Sequence, residues 1–517
     1  MLDAGPQPMN GALVIAGSAD TRGASLLTAG LCRWLRQQGV TVAPFKPLSV
    51  AQSSYVTIDG AEIGRPQALQ AAAAEIEPDA RMNPVLLKPG IGGSQVMVLG
   101  QDVGMVDTDG YAENAARLLD VALDSLAALR REFDVVICEG ADRAPDRRRG
   151  ADLPDLDLSR SAGLATVLTA DASGGGSMAA LHGTLALLPP EDQALIAGFI
   201  LTAARDTARD TGRETGREQA AGLLRSLTGR PMLGALPDDP DRWLVAQLNI
   251  GGAEIWPRLP SGPPLGHDIL RVSVVATPRM SDLADIEPLA AEPGVLIRLA
   301  ASAEELGDAD LVILPGSRAT VADLAFIRER GIADLITSRA RAGRPVLGIS
   351  GGYQMLTDEI GDDVESGAGS VSGLGLLTAS VVFDANPTIG RRAGAAYGSA
   401  VTGFEARRGA VTATGIRAEP FPGGCRSGVV WGTSWHGLLE NDAFRRAFLA
   451  EVAGFAGRDF KPAPDASFEA VRTAALDRLG DLVGAHLDTT VIERLIEGGP
   501  PPGLPVVPPA GGRAGAS

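Results

Sequence analysis

The chain has 517 residues, 45% of them hydrophobic, which is enough for more than one buried core. Its net charge is −17, and its one dense basic run, Arg147-Arg148-Arg149, lies among acids, so binding to nucleic-acid phosphates is excluded. No run is apolar over the length of a membrane span, and three cysteines without CxxC spacing (Cys32, Cys138, Cys425) imply neither a disulfide framework nor zinc, so a cytoplasmic protein is expected.

The N-terminus opens on a strand, "GALVIAG", so a start at Met9 would lose none of the fold. A Ser/Gly loop follows, then the helix "SLLTAGLCRWLRQQG" with Gly39 as its C-cap, then the strand "VTVAPFK". This is a βαβ unit. The apolar runs "FDVVICEG" and "LATVLTAD" continue it, separated by helices such as "AENAARLLDVALDSLAALRR". Near-continuous apolar strands alternating with helices predict a buried, mostly parallel sheet. The charged repeat "ARDTARDTGRETGREQ" reads as polar surface. "PRLPSGPPLG" reads as a linker at 257–266. A second α/β pattern follows in "ILRVSVVAT", "ADLVILPG", "RPVLGIS", "GLGLLTASVVF" and "SGVVWGTSWHG". The chain therefore divides into a first domain at 11–256, the linker, a second domain at 267–460, a helical segment at 461–497 and a disordered tail at 498–517.

The loop between a first strand and its helix is where nucleotide phosphates bind, cradled by backbone N–H groups and the helix N-terminus. Here it reads "AGSADTRGAS". Gly17 and Gly23 supply the tight turn and Ser25 a hydroxyl within reach of magnesium. The lysine of a Walker loop is replaced by Ala24, and Arg22 is the nearest cation. Glu139 and Asp171 end two apolar strands, where open sheets place ligands, and such carboxylates hold Mg2+ or cap the next helix.

The run Gly348-Ile349-Ser350-Gly351-Gly352 fits a nucleophile elbow, whose central residue sits on a strained turn that glycine neighbours permit. Only four histidines are present. His436 follows a strand of the same domain and is the candidate base for Ser350. Read from residues alone, the pair suggests a serine hydrolase with the chain order Ser, acid, His. Against that stand the small size of the second domain and the nucleotide-type domain before it.

Taken together, "TAGLCRWLRQQGVTVAPFKP", "EIGRPQALQAAAAEIEPDARMNPVLLKP", "GSQVMVLG", "PRMSDLADIEPLAAEPGV", "LVILPGSRATVADLAFIRERG", "VLGISGGYQML", "VTGFEARRG" and "GTSWHGLLENDAFRRAFL" resemble cobyric acid synthase, the glutamine-dependent amidotransferase family of cobalamin biosynthesis, from about Gly11 to about Asp488. The resemblance implies two α/β domains: an N-terminal P-loop, dethiobiotin-synthetase-like parallel sheet and a C-terminal class I glutamine amidotransferase-like domain. It implies that glutamine yields ammonia at the elbow, without a strong third triad member. ATP and Mg2+ then activate the b, d, e and g carboxylates of adenosylcobyrinate a,c-diamide. On this resemblance Ser350 and His436 are catalytic, Gly316 and Gly351 face substrate, Gly17, Gly23, Ser25 and Lys46 bind nucleotide, and Glu139 and Asp171 bind metal.

The departures bear on activity. The family has cysteine where this chain has Ser350, and Ser-Asp-Ala-Gly-Lys-Ser where it has Asp20-Thr21-Arg22-Gly23-Ala24-Ser25. Asp171-Ala172-Ser173-Gly174-Gly175-Gly176 stands in place of Asp-Ile-Asp-Arg-Gly-Gly. A serine hydroxyl is far less acidic than a thiol, whose pKa lies near about 8.5. Three readings stand: an impaired amidotransferase on a corrinoid, a non-catalytic paralogue binding a corrinoid or a partner synthase, and a serine hydrolase. A homo-oligomer is compatible with each.

Overall fold

In the computed structural model, residues 9–18, 22–51, 53–90, 93–106, 108–142, 156–173, 175–204, 211–238, 262–413 and 418–508 are described, with the side chains of 22, 108–112 and 211–215 left out. Asp20, Thr21, the Arg22 side chain, the Arg147–Arg149 run and the first half of the expected linker, 257–261, lie outside them.

The first domain is a six-stranded, all-parallel sheet. Its order is Met232–Pro237, Ile196–Ala204, Thr166–Asp171, Gly11–Gly17, Val135–Glu139, Val42–Phe45. These strands are buried almost throughout, as their unbroken apolar runs require of a sheet covered on both faces. Gly11–Gly17 lies between the two strands that end in Glu139 and Asp171. The loop after it thus opens where connections leave to opposite sides, the usual ligand position of such sheets. The helix Arg22–Gln37 follows and ends at Gly39, whose φ of +83° a side chain would strain.

A smaller sheet of Leu48–Val50, Val85–Gly90, Gly93–Val98 and Gln101–Val106 lies beside the main one and meets the second domain. The Arg408 guanidinium pairs with Asp102 at 3.0 Å, and the Asp282 N–H donates to Ser53 Oγ at 3.0 Å. The second domain is a seven-stranded mixed sheet. Val295–Ala300, Leu270–Val275, Leu311–Leu314, Val346–Ile349 and Val430–Thr433 run parallel, and Gly424–Ser427 and Glu419–Phe421 add an antiparallel edge.

The C-terminal helical segment returns to the first domain. Phe468–His486 lies on Arg22–Gln37, crossing it closely at Gly30, where a Cβ would come within 2.9 Å of Val483. Thr489–Gly498 covers Gly11–Gly17. Leu476, Leu479, Val483, Ile492 and Leu495 share one core with Leu13, Leu27 and Leu31. Leu479→Ala is expected to cost about 2–5 kcal/mol, read as a shift of the denaturant midpoint. The tail corrects the sequence reading in part. Val507 is buried beside Leu185 and Leu224, and its N–H donates to Gln193 Oε1 at 2.8 Å. A proline-rich run can bury a side chain wherever its backbone groups find partners. No helix among the described residues is long and apolar enough to cross a membrane, and all three cysteines are free and buried.

Candidate active sites

Ser350 sits between the strand Val346–Ile349 and the helix Gly351–Leu356 with φ +51° and ψ −113°. A non-glycine residue held there is strained by about 1–3 kcal/mol, which the surroundings must offset. The Ser350 N–H donates to Thr433 O at 2.7 Å, which pins the turn to the neighbouring strand. Gly351 faces the Gly316–Ser317 strand so closely that a Cβ would lie 2.7 Å from Ser317 N. Gly316, Gly351 and Ser350 are thereby brought together. With Ser317, Arg318 and Gln354, Ser350 lines a cavity of about 300 Å³ whose opposite wall includes Glu62 and Lys88 of the first domain.

His436 follows the strand Val430–Thr433, is 2% exposed, and stacks on Phe404 with ring centres 5.3 Å apart. Its Nδ1 lies 2.7 Å from Asp285 Oδ2, and the other oxygen of Asp285 accepts the Gly437 N–H at 2.7 Å. The expectation of a weak or absent third member is therefore corrected. Asp285, on the 3-10 turn Leu283–Asp285, is a buried carboxylate bound to the histidine. It also precedes the elbow, so the chain order is Asp, Ser, His and not the hydrolase order. Burial alone would lower the imidazole pKa, but Asp285 and Asp282 outweigh burial and raise it from 6.5 to about 9. The pairing with Asp285 thus favours the imidazolium form of His436 at neutral pH. Among the described residues no hydrogen bond joins it to the Ser350 hydroxyl.

The sign of this shift sets the stability it confers. The Asp285–His436 pair stabilises the fold fully below pH 6.5, and that contribution is lost as pH rises through about 9. Asp285→Asn is expected to lower the His436 titration midpoint from about 9, since only Asp282 then opposes burial. NMR of labelled histidine reads this directly.

At the strand ends of the first domain, Ser25 Oγ donates to Glu139 Oε1 at 2.5 Å, and Gln70 Nε2 donates to Glu139 Oε2 at 2.7 Å. Lys46 Nζ reaches Glu139 at 2.7 Å and Asp142 at 2.8 Å. Burial would lower the Lys46 pKa, but Asp142 and Glu139 hold it above the ordinary lysine value. Gly17 and Gly23 flank the loop, with Gly23 backed against Thr202. Asp171 Oδ1 accepts the Ser173 N–H at 2.6 Å, a local turn within the loop; it does not cap the next helix, Ser177–Leu187, whose N-cap is Gly176. Among the described residues no group of three or more His, Cys, Asp or Glu is placed to hold a metal. Ser25 and Glu139 are nonetheless adjacent hard oxygens of the kind magnesium takes. The triphosphate fares worse, because Ala24 is a methyl group buried 1% exposed in the core. Sequence reasoning missed Gln70, Asp142 and Asp285. Of these only Asp142 carried a local signal, an acid just after a strand-end acid.

Residues 271–444 match the CobB/CobQ-like glutamine amidotransferase domain. The chain is 50% identical to the cobyric acid synthase of Streptomyces coelicolor over 511 residues, covering 97% of this chain and 99% of that one. The chain belongs to the cobyric acid synthase family. Another member, from Streptomyces avermitilis, is 48% identical over 511 residues, covering 97% of this chain and 99% of that protein. The family assignment gives the two sites their places: the elbow in the amidotransferase domain, the strand-end network in the domain before it.

Proposed function

We propose that this chain acts in cobalamin biosynthesis as a cobyric acid synthase that takes ammonia from solution, its glutaminase site being silent at neutral pH. One observation carries the reading: in the domain of the serine elbow, the candidate base His436 is bound through Nδ1 to the buried Asp285 carboxylate, which favours its protonated form. An imidazolium suits a thiolate as an ion-pair partner. It cannot take a proton from a hydroxyl, so Ser350 stays un-ionised. The same argument weighs against a serine hydrolase.

In the first domain, Lys46 with Glu139 and Asp142 holds charge at the strand ends, and Ser25 with Glu139 would hold magnesium. ATP, when bound, supplies the phosphoryl group that activates a carboxylate for attack by ammonia. The substrate proposed by family is adenosylcobyrinate a,c-diamide, amidated at its b, d, e and g side chains, and the setting proposed is the cytoplasm.

The test is amide formation by the purified chain with ATP, magnesium and the corrinic acid. Product is expected with an ammonium salt and none with glutamine at neutral pH. Equal rates with the two nitrogen donors would sink the reading. A second reading is favoured by the buried methyl of Ala24 at the position of the phosphate-loop lysine. On it, the chain binds a corrinoid or a partner synthase without turnover. Absence of product with ammonium, together with retained corrinoid binding in calorimetry, would select it.

A further inference from the structure

The helix Arg65–Ala73 belongs to the first domain, yet its first residue lies against the histidine site of the second. Arg65 is 5% exposed, and its Nη2 donates to Glu440 Oε1 at 2.8 Å. Its guanidinium carbon lies 5.7 Å from the centre of the Tyr55 ring and 6.0 Å from that of Phe404. Phe404 is the ring stacked on His436. The two backbones also pair, the Phe404 N–H donating to His436 O at 3.0 Å and the His436 N–H to Phe404 O at 2.8 Å. Glu440 ends the short turn after Gly437, whose N–H is bound to Asp285. Arg65 thus approaches the dyad by two routes, through a ring and through a carboxylate cluster.

Five residues further along, the same helix carries Gln70, whose amide donates both to Glu139 and to the Ser25 carbonyl. Nine residues of one helix therefore put a side chain into each site. We propose that Arg65 is a positioning residue through which the first domain acts on the Asp285–His436 dyad, with the helix Arg65–Ala73 as the element shared by the two sites.

The physical basis is competition for anions. His436 faces Asp285 and Asp282 from the segment before it, and Arg65 from the first domain. Arg65 faces Glu440, Glu287 and Asp285, and Glu440 also lies 3.6 Å from Arg472 of the C-terminal helix. Two cations, imidazolium and guanidinium, share carboxylates in a dry site. Each weakens the hold of the cluster on the other, so Arg65 keeps the His436 proton looser than Asp285 alone would. A shift of the helix, driven from the Glu139 end, changes that competition without any contact to the reacting atoms.

The inference rests on reading Asp285–His436 as a glutaminase dyad, but its test needs no turnover. The chain has four histidines, so labelling their ring carbons gives a small set of NMR signals, of which His436 is followed against pH in the full-length protein. Arg65→Gln is expected to raise its midpoint by about half a pH unit or more, while the other histidines stay put. Arg65→Lys, which keeps the charge, is expected to stay near the parent. Gln70→Ala is expected to raise the midpoint by a smaller amount. An unchanged or falling midpoint in Arg65→Gln overturns the positioning role, as does a lysine variant that titrates like the glutamine one. A Gln70→Ala variant that leaves His436 unmoved overturns the shared-helix element. Failure of the glutaminase reading shows up elsewhere, in the Ser350→Cys assay.

Discussion

Ser350→Cys is expected to switch on glutamine hydrolysis, raising its rate at neutral pH on the order of 10³-fold over the parent. The substitution exchanges one oxygen for one sulfur on a backbone already bent for the task, with φ +51° at the elbow and the N–H pinned to Thr433. What changes is acidity. A thiol beside an imidazolium ionises readily, and Asp285 favours that form of His436. The parent faces the opposite demand, since a serine needs a neutral imidazole to accept its proton. The two proteins should therefore show opposite pH slopes. The cysteine variant should hold its rate through neutral pH and lose it as pH rises through about 9, where the imidazolium deprotonates. Any hydrolysis by the parent should grow over that same interval. Released ammonia measured from pH 6 to 10 decides the matter. A parent as fast as the variant at neutral pH, or a variant as slow as the parent, would refute the argument. Adding Asp285→Asn to the cysteine variant should abolish most of the gain, because it removes the group that keeps the imidazole charged.

The elbow was legible in the sequence because its signal is local: glycines on both sides of one residue at a strand end. His436 was legible for a similar reason, as a rare residue type placed just past another strand. Asp285 was not, because it joins the histidine from a short turn on a distant stretch of chain, and nothing in its spacing marks it among many acids. The apolar runs announced the parallel strands of both sheets, since strands buried on both faces must be apolar throughout. They could not show that Phe468–His486 crosses back to the first domain. An amphipathic helix declares that it needs a partner surface, not which one, and the close approach at Gly30 appears only in three dimensions. The same holds for Arg65. On paper it opens a helix before a proline, and only folding sets it among three carboxylates and two aromatic rings.

Lys46→Met is expected to destabilise the first domain by about 3–5 kcal/mol, the cost of leaving buried carboxylates without their cation. The ammonium is the shared partner of Glu139 and Asp142 at 2.7 and 2.8 Å, in a pair whose side chains are only 5% and 1% exposed. Ser25 and Gln70 still donate to Glu139 in the variant, so the carboxylate keeps hydrogen bonds but loses its countercharge. That separates charge from hydrogen bonding, and a second substitution isolates it further. Glu139→Gln in the same chain removes the stranded charge, so the double variant should recover much of the loss instead of adding to it. The pH dependence has a fixed sign. A lysine whose folded pKa is raised contributes its full stabilisation below the ordinary lysine pKa of 10.5 and loses it as pH climbs beyond. The parent should therefore weaken relative to Lys46→Met only in strong alkali, and the difference between them should be flat across neutral pH. Denaturant midpoints at several pH values measure both effects. A loss under about 1 kcal/mol would mean that water reaches the strand ends and screens the carboxylates. The network would then be a hydrated surface, not the dry, internally neutralised pocket proposed to take magnesium at Ser25 and Glu139.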